Sequence, residues 1–291
     1  MVALQLSQAI VVSHPVWYDR AWVLHEFALA RKASVLWSRG SIEYGYITFI
    51  HLSINAGAHR LAPATAILCE KLNSLANVTA SDQSLLHVMK LAGYMDASVP
   101  RDRVFALLGL VQPTQASMII PDYSCSTGQV YTRVTFACIE SQRDASVLRL
   151  AVARPGRQKD LPIWAIDFSM PLVMDRSTWV AGLSVVEPLV PDNHYCRYDA
   201  TVRSLLIRGV NLPKELLRFN GVTFWQPEGD SKLVAVRPLK RRDMSQWTSV
   251  LGLSPIPGGS YELRDVMTSP DLDLNLRHNL SAGTEEVFAL I

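Results

Sequence analysis

The sequence predicts a mixed α/β protein with a helix-rich first part, residues 1–170, and a β-rich, loop-rich second part, residues 171–291. Apolar residues recur at helical spacing in the first part, whereas prolines and short β-branched runs divide the second part. The chain is 49% hydrophobic and 19% charged, which is typical of an ordered globular protein. We therefore expect a chain that buries a real core.

The first predicted helix covers residues 17–30 and organises the first part. Trp22, Leu29 and Ala33 recur at helical spacing and form its apolar stripe. Glu26 lies one turn after Trp22, on nearly the same face.

Two interpretations of Glu26 are open. A carboxylate beside the indole of Trp22 is partly desolvated, and such carboxylates serve as general bases or hydrogen-bond acceptors. Alternatively, Glu26 pairs with Arg20 or Lys32 at the edge of a packed helix.

The next predicted elements are a short strand and two helices. The strand covers Ala33–Trp37 and is ended by Ser38, Arg39 and Gly40. A helix with apolar residues at helical spacing covers residues 61–76. A second helix through Leu85–Leu91 is expected to have its N-cap at Ser81 or Asp82 and to end at Gly93.

Two more helices and a strand-like run complete the first part. Arg101–Leu110 is predicted to be helical and closed by Gly109, with Val104, Leu107 and Leu108 buried. Thr127 is the expected N-cap of a helix through Val130, Val134, Ala137 and Cys138. The apolar run Ser146–Val152 favours a strand.

An extended segment follows Pro162 and leads into the second part. Its Trp164 is expected to fill the core, with the indole N–H bonded to a nearby carbonyl. Strands are predicted over Ala200–Val210 and Lys232–Val236.

Arg101 and Asp102 are the most distinctive charged pair, and two interpretations are open. Arg101 is a candidate clamp for a phosphate or carboxylate group of a ligand. Alternatively, Asp102 is a first-turn acid favoured by the helix dipole, and Arg101 forms a salt bridge nearby.

Composition and motifs exclude several functional classes. The net charge is +2, and the only basic run, Lys240–Arg242, does not indicate nucleic-acid binding. No apolar stretch approaches the roughly 20 residues of a membrane span, and the N-terminus lacks the basic start of a signal peptide. The four cysteines show no zinc-ligand spacing and are expected to be reduced core residues of a cytoplasmic protein. No metal site or esterase-type nucleophile motif is present.

Four sequence blocks in a fixed order indicate a family. They are Arg20, Trp22, His25, Glu26 and Ala30; Pro100–Leu110; Pro121–Ser124 followed by Val130 and Tyr131; and Leu161–Ser169. In type and spacing these blocks resemble the fungal heterokaryon incompatibility (HET) domain, although His25 stands where that family has glutamine. The resemblance covers residues 17 to about 170.

The front of a HET domain is missing from this resemblance. Family members carry a Ser-Tyr-x-Trp-Gly strand and a Trp-Ile-Asp-x-x-Cys-Ile-Asn-Gln segment before the first of these blocks, and neither occurs here. The expectation is therefore a partial HET-like domain over residues 1–170. A helix that normally covers a sheet would then expose its apolar face.

The resemblance implies an intracellular nonself-recognition module that signals programmed cell death. HET domains are in turn similar to Toll/interleukin-1 receptor (TIR) domains, several of which cleave NAD. By that likeness, Glu26 would be the catalytic carboxylate and would stabilise the developing oxocarbenium charge, while Trp22 would form a wall of the site. NAD would then be a substrate, and no resident cofactor is expected.

Catalysis is nevertheless not expected of this chain by itself. In a doubly wound sheet, nucleotides bind at the carboxyl ends of the central strands, and the resemblance places those strands in the missing segment. We therefore expect a protein partner, either an incompatibility partner or a second copy of the chain, and no nucleic acid or membrane.

Overall fold

The described residues of the chain combine helices with a mixed sheet. The computed structural model describes residues 20–30, 34–37, 40–43, 83–142, 145–152, 156–170, 172, 196–200, 203–211, 228–236, 249–267 and 285–291. These residues confirm the predicted mixed α/β class.

The chain divides into two compact units. The first comprises Met1–Ser124 with Phe168–Leu172, and the second comprises Cys125–Asp167 with Val173–Ile291. The fourth HET-like block therefore lies mainly in the second unit, together with the C-terminal strands, whereas the sequence placed it with the first part.

Helices dominate the described residues of the first unit. They are α1 (Trp22–Leu29), α2 (Leu85–Leu91), α3 (Asp102–Phe105) and α4 (Pro113–Ala116). Strands β1 (Ser34–Trp37) and β2 (Gly40–Glu43) pair antiparallel, which confirms the short strand predicted after the first helix. The predicted helix over 61–76 lies outside the described residues.

Helix α1 packs through the face opposite to the predicted apolar stripe. Val23 and Leu24 are fully buried, whereas Trp22 is 42% and Leu29 60% exposed. Two apolar side chains of this helix are therefore exposed, and its buried face is made by other residues. The helix was predicted to begin at residue 17, and residues 17–19 lie outside the described part of the chain.

The N-cap predicted for α2 is wrong. Ser84 is the cap, because its backbone is extended and its hydroxyl accepts a hydrogen bond from the His87 N–H at 3.3 Å. The helix ends at Leu91 and continues as a short 3-10 turn, Ala92–Tyr94, so the predicted end at Gly93 is close.

The helix predicted over Arg101–Leu110 is two shorter pieces. Helix α3 ends at Phe105, and a 3-10 turn covers Leu108–Leu110. Val104 and Leu107 are fully buried as predicted, whereas Leu108 is only half-buried. The break turns the end of this segment toward α1.

The second unit contains a long helix and a sheet. Helix α5 (Thr127–Gln142) buries Val130, Val134, Ala137 and Cys138, as the sequence predicted. Residues Ala145–Leu150 form a 3-10 helix, so the strand predicted there is wrong.

Six strands make the sheet of the second unit. They are β3 (Cys196–Asp199), β4 (Ser204–Asn211), β5 (Lys232–Val236), β6 (Ser249–Ile256), β7 (Ser260–Met267) and β8 (Glu285–Leu290). Neighbouring strands follow chain order, and β8 also pairs with β4, so the sheet closes on itself. All pairs are antiparallel except β7 with β8. The strand predicted at β5 is confirmed with its bounds, and the strand predicted over Ala200–Val210 is confirmed from Ser204 onward, since Ala200 and Arg203 lie in turns.

Trp164 occupies the core of the second unit. Its side chain is fully buried, and its indole Nε1–H donates to the Arg203 carbonyl at 3.3 Å, which confirms the predicted role. The surrounding segment is a turn in which the Ala165 N–H bonds to the Pro162 carbonyl, rather than the predicted extended chain. The turn is joined to α5 by a 2.9 Å bond from the Ile166 N–H to the Thr135 hydroxyl.

Candidate functional site

Glu26 lies on an exposed stripe of α1. We call Trp22, Glu26 and Leu29 the α1 stripe; all three side chains are exposed. Because both side chains are exposed, Trp22 does not desolvate the Glu26 carboxylate as the sequence predicted. The carboxylate is instead accessible to any ligand or partner that approaches this face of the helix.

The ion pair considered for Glu26 is also not formed with Arg20. The guanidinium of Arg20 donates through Nη1 to the Ser98 hydroxyl, and the next residue, Ala21, donates its N–H to the Asp96 carbonyl at 2.8 Å. These contacts anchor the start of α1 to the segment before α3. Lys32, the other candidate partner of Glu26, lies outside the described residues.

His25 joins the first HET-like block to the second. A Cβ atom added to Gly109 would lie 2.7 Å from Nε2 of His25, so the imidazole rests directly on the glycine backbone. The absence of a side chain at Gly109 permits this close approach. Gly109 therefore serves the contact with α1, rather than closing a long helix as the sequence suggested.

Tyr123 joins the third block to the second. Its hydroxyl donates to Asp102 Oδ1 at 2.6 Å, and its ring stacks edge-on against Phe105 with centroids 5.2 Å apart. The hydrogen bond to Asp102, with smaller contributions from burial and the negative charge, raises the pKa of Tyr123 above its ordinary value. The Asp102 carboxylate thus has a specific partner in addition to its place in the first turn of α3.

Arg101 is directed at the same tyrosine. Its Nη1 donates to the Tyr123 carbonyl at 2.5 Å, and its guanidinium carbon lies 5.6 Å from the centre of the Tyr123 ring. These contacts favour the structural interpretation of Arg101, because they hold the Pro121–Ser124 segment against α3. The anion-binding interpretation stays a prediction.

Asp96 connects the start of α1 to α3, and Ser98 accepts from Arg20; neither contact was predicted from the sequence. Asp96 binds α1 through its carbonyl, and its carboxylate accepts from Arg103 of α3 at 3.2 Å. Its side chain is exposed, so the ion pair is expected to contribute little to stability. Neither residue forms a motif with its sequence neighbours, so the sequence offered no signal for this connection.

The fourth block has a structural role in the second unit. The buried carboxylate of Asp167 accepts from the Gln158 N–H at 2.9 Å. Arg157 donates to the Leu161, Pro162 and Ala165 carbonyls, and partial burial lowers its pKa despite the nearby charges of Asp167 and Asp160. This constellation fixes the turn that carries Trp164.

The described residues show neither a metal centre nor a membrane span. No group of three or more histidine, cysteine, aspartate or glutamate side chains in that part of the chain is arranged to hold a metal ion. None of its helices combines the length and hydropathy that crossing a membrane requires. Cys125 and Cys138 are buried, as the sequence predicted for these two residues.

Comparisons of the chain with protein-family models, with curated proteins and with solved structures found no match.

Proposed function

We propose that this protein is a nonself-recognition module that signals heterokaryon-incompatibility cell death by binding another protein. The single observation that carries the proposal is that residues from three HET-like blocks contact one another within the first unit. His25 of the first block rests on Gly109 of the second, and Tyr123 of the third bonds to Asp102 of the second. Positions of blocks that were grouped by their resemblance to one family thus interact, and His25 is the one of these residues that departs from the family pattern.

Binding is favoured over catalysis by the surroundings of Glu26. Catalytic carboxylates act best in sites that exclude water, where charge stabilisation is strongest. The carboxylate of Glu26 instead lies between two exposed apolar side chains on an outer helix face. Exposed apolar side chains around a single charge are more typical of an interaction surface.

NAD cleavage by Glu26 is the second candidate function. The observation in its favour is that Glu26 is accessible and shares a helix face with Trp22, as the likeness to TIR domains requires. A partner chain would then have to supply the rest of the nucleotide site. No cofactor enters either proposal, and NAD would be a substrate in the second.

Expression in fungal cells separates these functions. The chain is expressed beside Glu26→Gln, and Glu228→Gln in the second unit serves as a matched control at an exposed glutamate. We expect the chain and the control to reduce viability while NAD stays constant, and Glu26→Gln to lose this toxicity at an equal protein level. Loss of NAD before death, prevented by Glu26→Gln, would favour the enzyme. Normal growth with all three proteins, alone and with candidate incompatibility partners, would contradict the signalling proposal.

A further inference from the structure

We propose that the α1 stripe docks a basic amphipathic helix of another protein, with a lysine or arginine of that helix paired to Glu26. The inference rests on the proposed function for its biological purpose, since it names the class of partner that a binding module would engage. Its physical basis is the geometry and charge of α1.

The α1 stripe has the dimensions of a helix-docking surface. At about 100° and 1.5 Å per residue, Trp22, Glu26 and Leu29 lie within roughly 60° of one another around the axis. They span about 10 Å along the axis, with Glu26 about 6 Å from Trp22. Two apolar anchors separated by two turns are the spacing at which partner helices are recognised.

Among the described residues of α1, no cation lies one turn from the negative charge in this stripe. The positions three and four residues from Glu26 are Trp22, Val23, Leu29 and Ala30, and all are apolar. Arg20 is turned away to Ser98. Burial of a carboxylate in such surroundings is favourable only when the partner surface supplies a positive charge.

The rest of α1 is held in place. Val23 and Leu24 are fully buried, His25 rests on Gly109, and the Ala21 N–H bonds to the Asp96 carbonyl. A partner would therefore meet a stripe that is already ordered. Binding to an ordered surface costs less conformational entropy than binding to one that must first form.

The same charge argues against a second copy of this chain as the occupant. In a symmetric dimer the two stripes would cross near their centres, where Glu26 lies. The two Glu26 carboxylates would then face each other in a partly desolvated interface, which costs free energy. A helix with a basic residue between two apolar ones avoids this cost.

The test uses the full chain and two synthetic helical peptides of about 20 residues. Both peptides carry leucines seven positions apart; one has lysine between them and the other has glutamate. Binding is measured by fluorescence anisotropy of the labelled peptide. The variants are Glu26→Lys, Trp22→Ala and Leu29→Ala, and the matched controls are Glu228→Lys and Val287→Ala, at exposed positions of the second unit.

The expected result is binding of the lysine peptide and at least about tenfold weaker binding of the glutamate peptide. Glu26→Lys should reverse this preference, Trp22→Ala and Leu29→Ala should weaken binding, and the controls should leave it unchanged. Circular dichroism verifies that each variant is folded.

Three results would overturn the inference: equal binding of both peptides, an unchanged preference in Glu26→Lys, or no binding. If sedimentation shows a dimer that Trp22→Ala abolishes, the occupant of the α1 stripe is a second copy of the chain and not a basic helix of another protein. Because the binding assay contains no cells, its failure is distinguishable from absence of toxicity, which bears on the proposed function.

Discussion

The hydroxyl of Tyr123 donates a 2.6 Å hydrogen bond to the carboxylate of Asp102, although 21 residues separate them. Together with the bond from Arg101 to the Tyr123 carbonyl, it holds the Pro121–Ser124 segment against α3. The tyrosine is 58% exposed, so this arrangement depends on specific polar contacts more than on burial.

The first prediction concerns the titration of Tyr123. Its pKa is raised, chiefly by the bond to Asp102, so Tyr123 should ionise above the ordinary value of about 10. The folded state then binds more protons than the unfolded state from pH 10 upward, and stability falls as the pH rises through the raised pKa. The absorbance change at 295 nm that is lost in Tyr123→Phe reports this group.

Asp102→Ala is the matched variant for this titration. It removes both the acceptor and the charge, so the tyrosine should ionise close to pH 10. An unchanged titration in Asp102→Ala would contradict the assigned cause. Because Tyr123 is exposed, Tyr123→Phe should lower the free energy of unfolding by no more than about 1 kcal/mol.

The second prediction concerns the start of α5. The Ser126 hydroxyl accepts from the Gln129 N–H at 3.2 Å, and the Gln129 side chain accepts from the Ser126 N–H at 2.8 Å. This reciprocal pair is a capping box. Ser126→Ala should therefore cost about 1 kcal/mol in urea unfolding. Thr127→Ala should cost less, although the sequence analysis placed the cap at Thr127; the reverse order would contradict the capping box.

The third prediction concerns the contact between α1 and the turn after α3. Gly109→Ala places a Cβ 2.7 Å from Nε2 of His25, so the ring must move; because Gly109 is exposed and the imidazole is the far end of a side chain, stability should fall by no more than about 1 kcal/mol. His25→Ala removes the obstacle, so the double variant should be more stable than the sum of the single changes predicts. Additive effects in the double-mutant cycle would show that the two residues do not touch.

The sequence predicted helix α1 but not the face that it buries. Trp22 and Leu29 at helical spacing indicated a buried stripe, yet the tertiary partners of α1 cover Val23 and Leu24. Periodicity locates a helix, whereas the buried face depends on what packs against it. The contacts of His25 with Gly109 and of Tyr123 with Asp102 join distant positions, and no local pattern predicts them.

Helix caps and short apolar runs were the other features that the sequence did not predict correctly. Ser81, Asp82 and Ser84 are all good N-cap residues by type, and Ser84 is identified as the cap by its extended backbone and by the bond that its hydroxyl accepts from the His87 N–H. The run at 146–152 was predicted to be a strand and is mostly a 3-10 helix, because a short apolar segment carries no decisive period. The strands at β4 and β5 were predictable, since β-branched residues and flanking turn signals agreed there.

The fourth prediction concerns the acid sensitivity of α2. Burial, and secondly the charge of Lys90, lowers the pKa of His87 from 6.5. Below pH 6.5 the unfolded state therefore binds more protons than the folded state, and stability falls as the pH drops through the lowered pKa. Urea unfolding between pH 7.5 and 5.5 should show this loss, and His87→Gln should reduce it, because glutamine does not titrate.

Ser84→Ala is the control that separates the effect of the His87 charge on stability from the effect of the hydrogen bond that the His87 backbone N–H donates. The Ser84 hydroxyl accepts from the His87 N–H, so its removal should cost about 1 kcal/mol at every pH in this range. His87→Gln keeps that backbone bond and changes only the slope with pH. Because Lys90 is a secondary cause, Lys90→Gln should reduce the acid loss by less than His87→Gln does. An unchanged slope in His87→Gln would assign the acid sensitivity to another group.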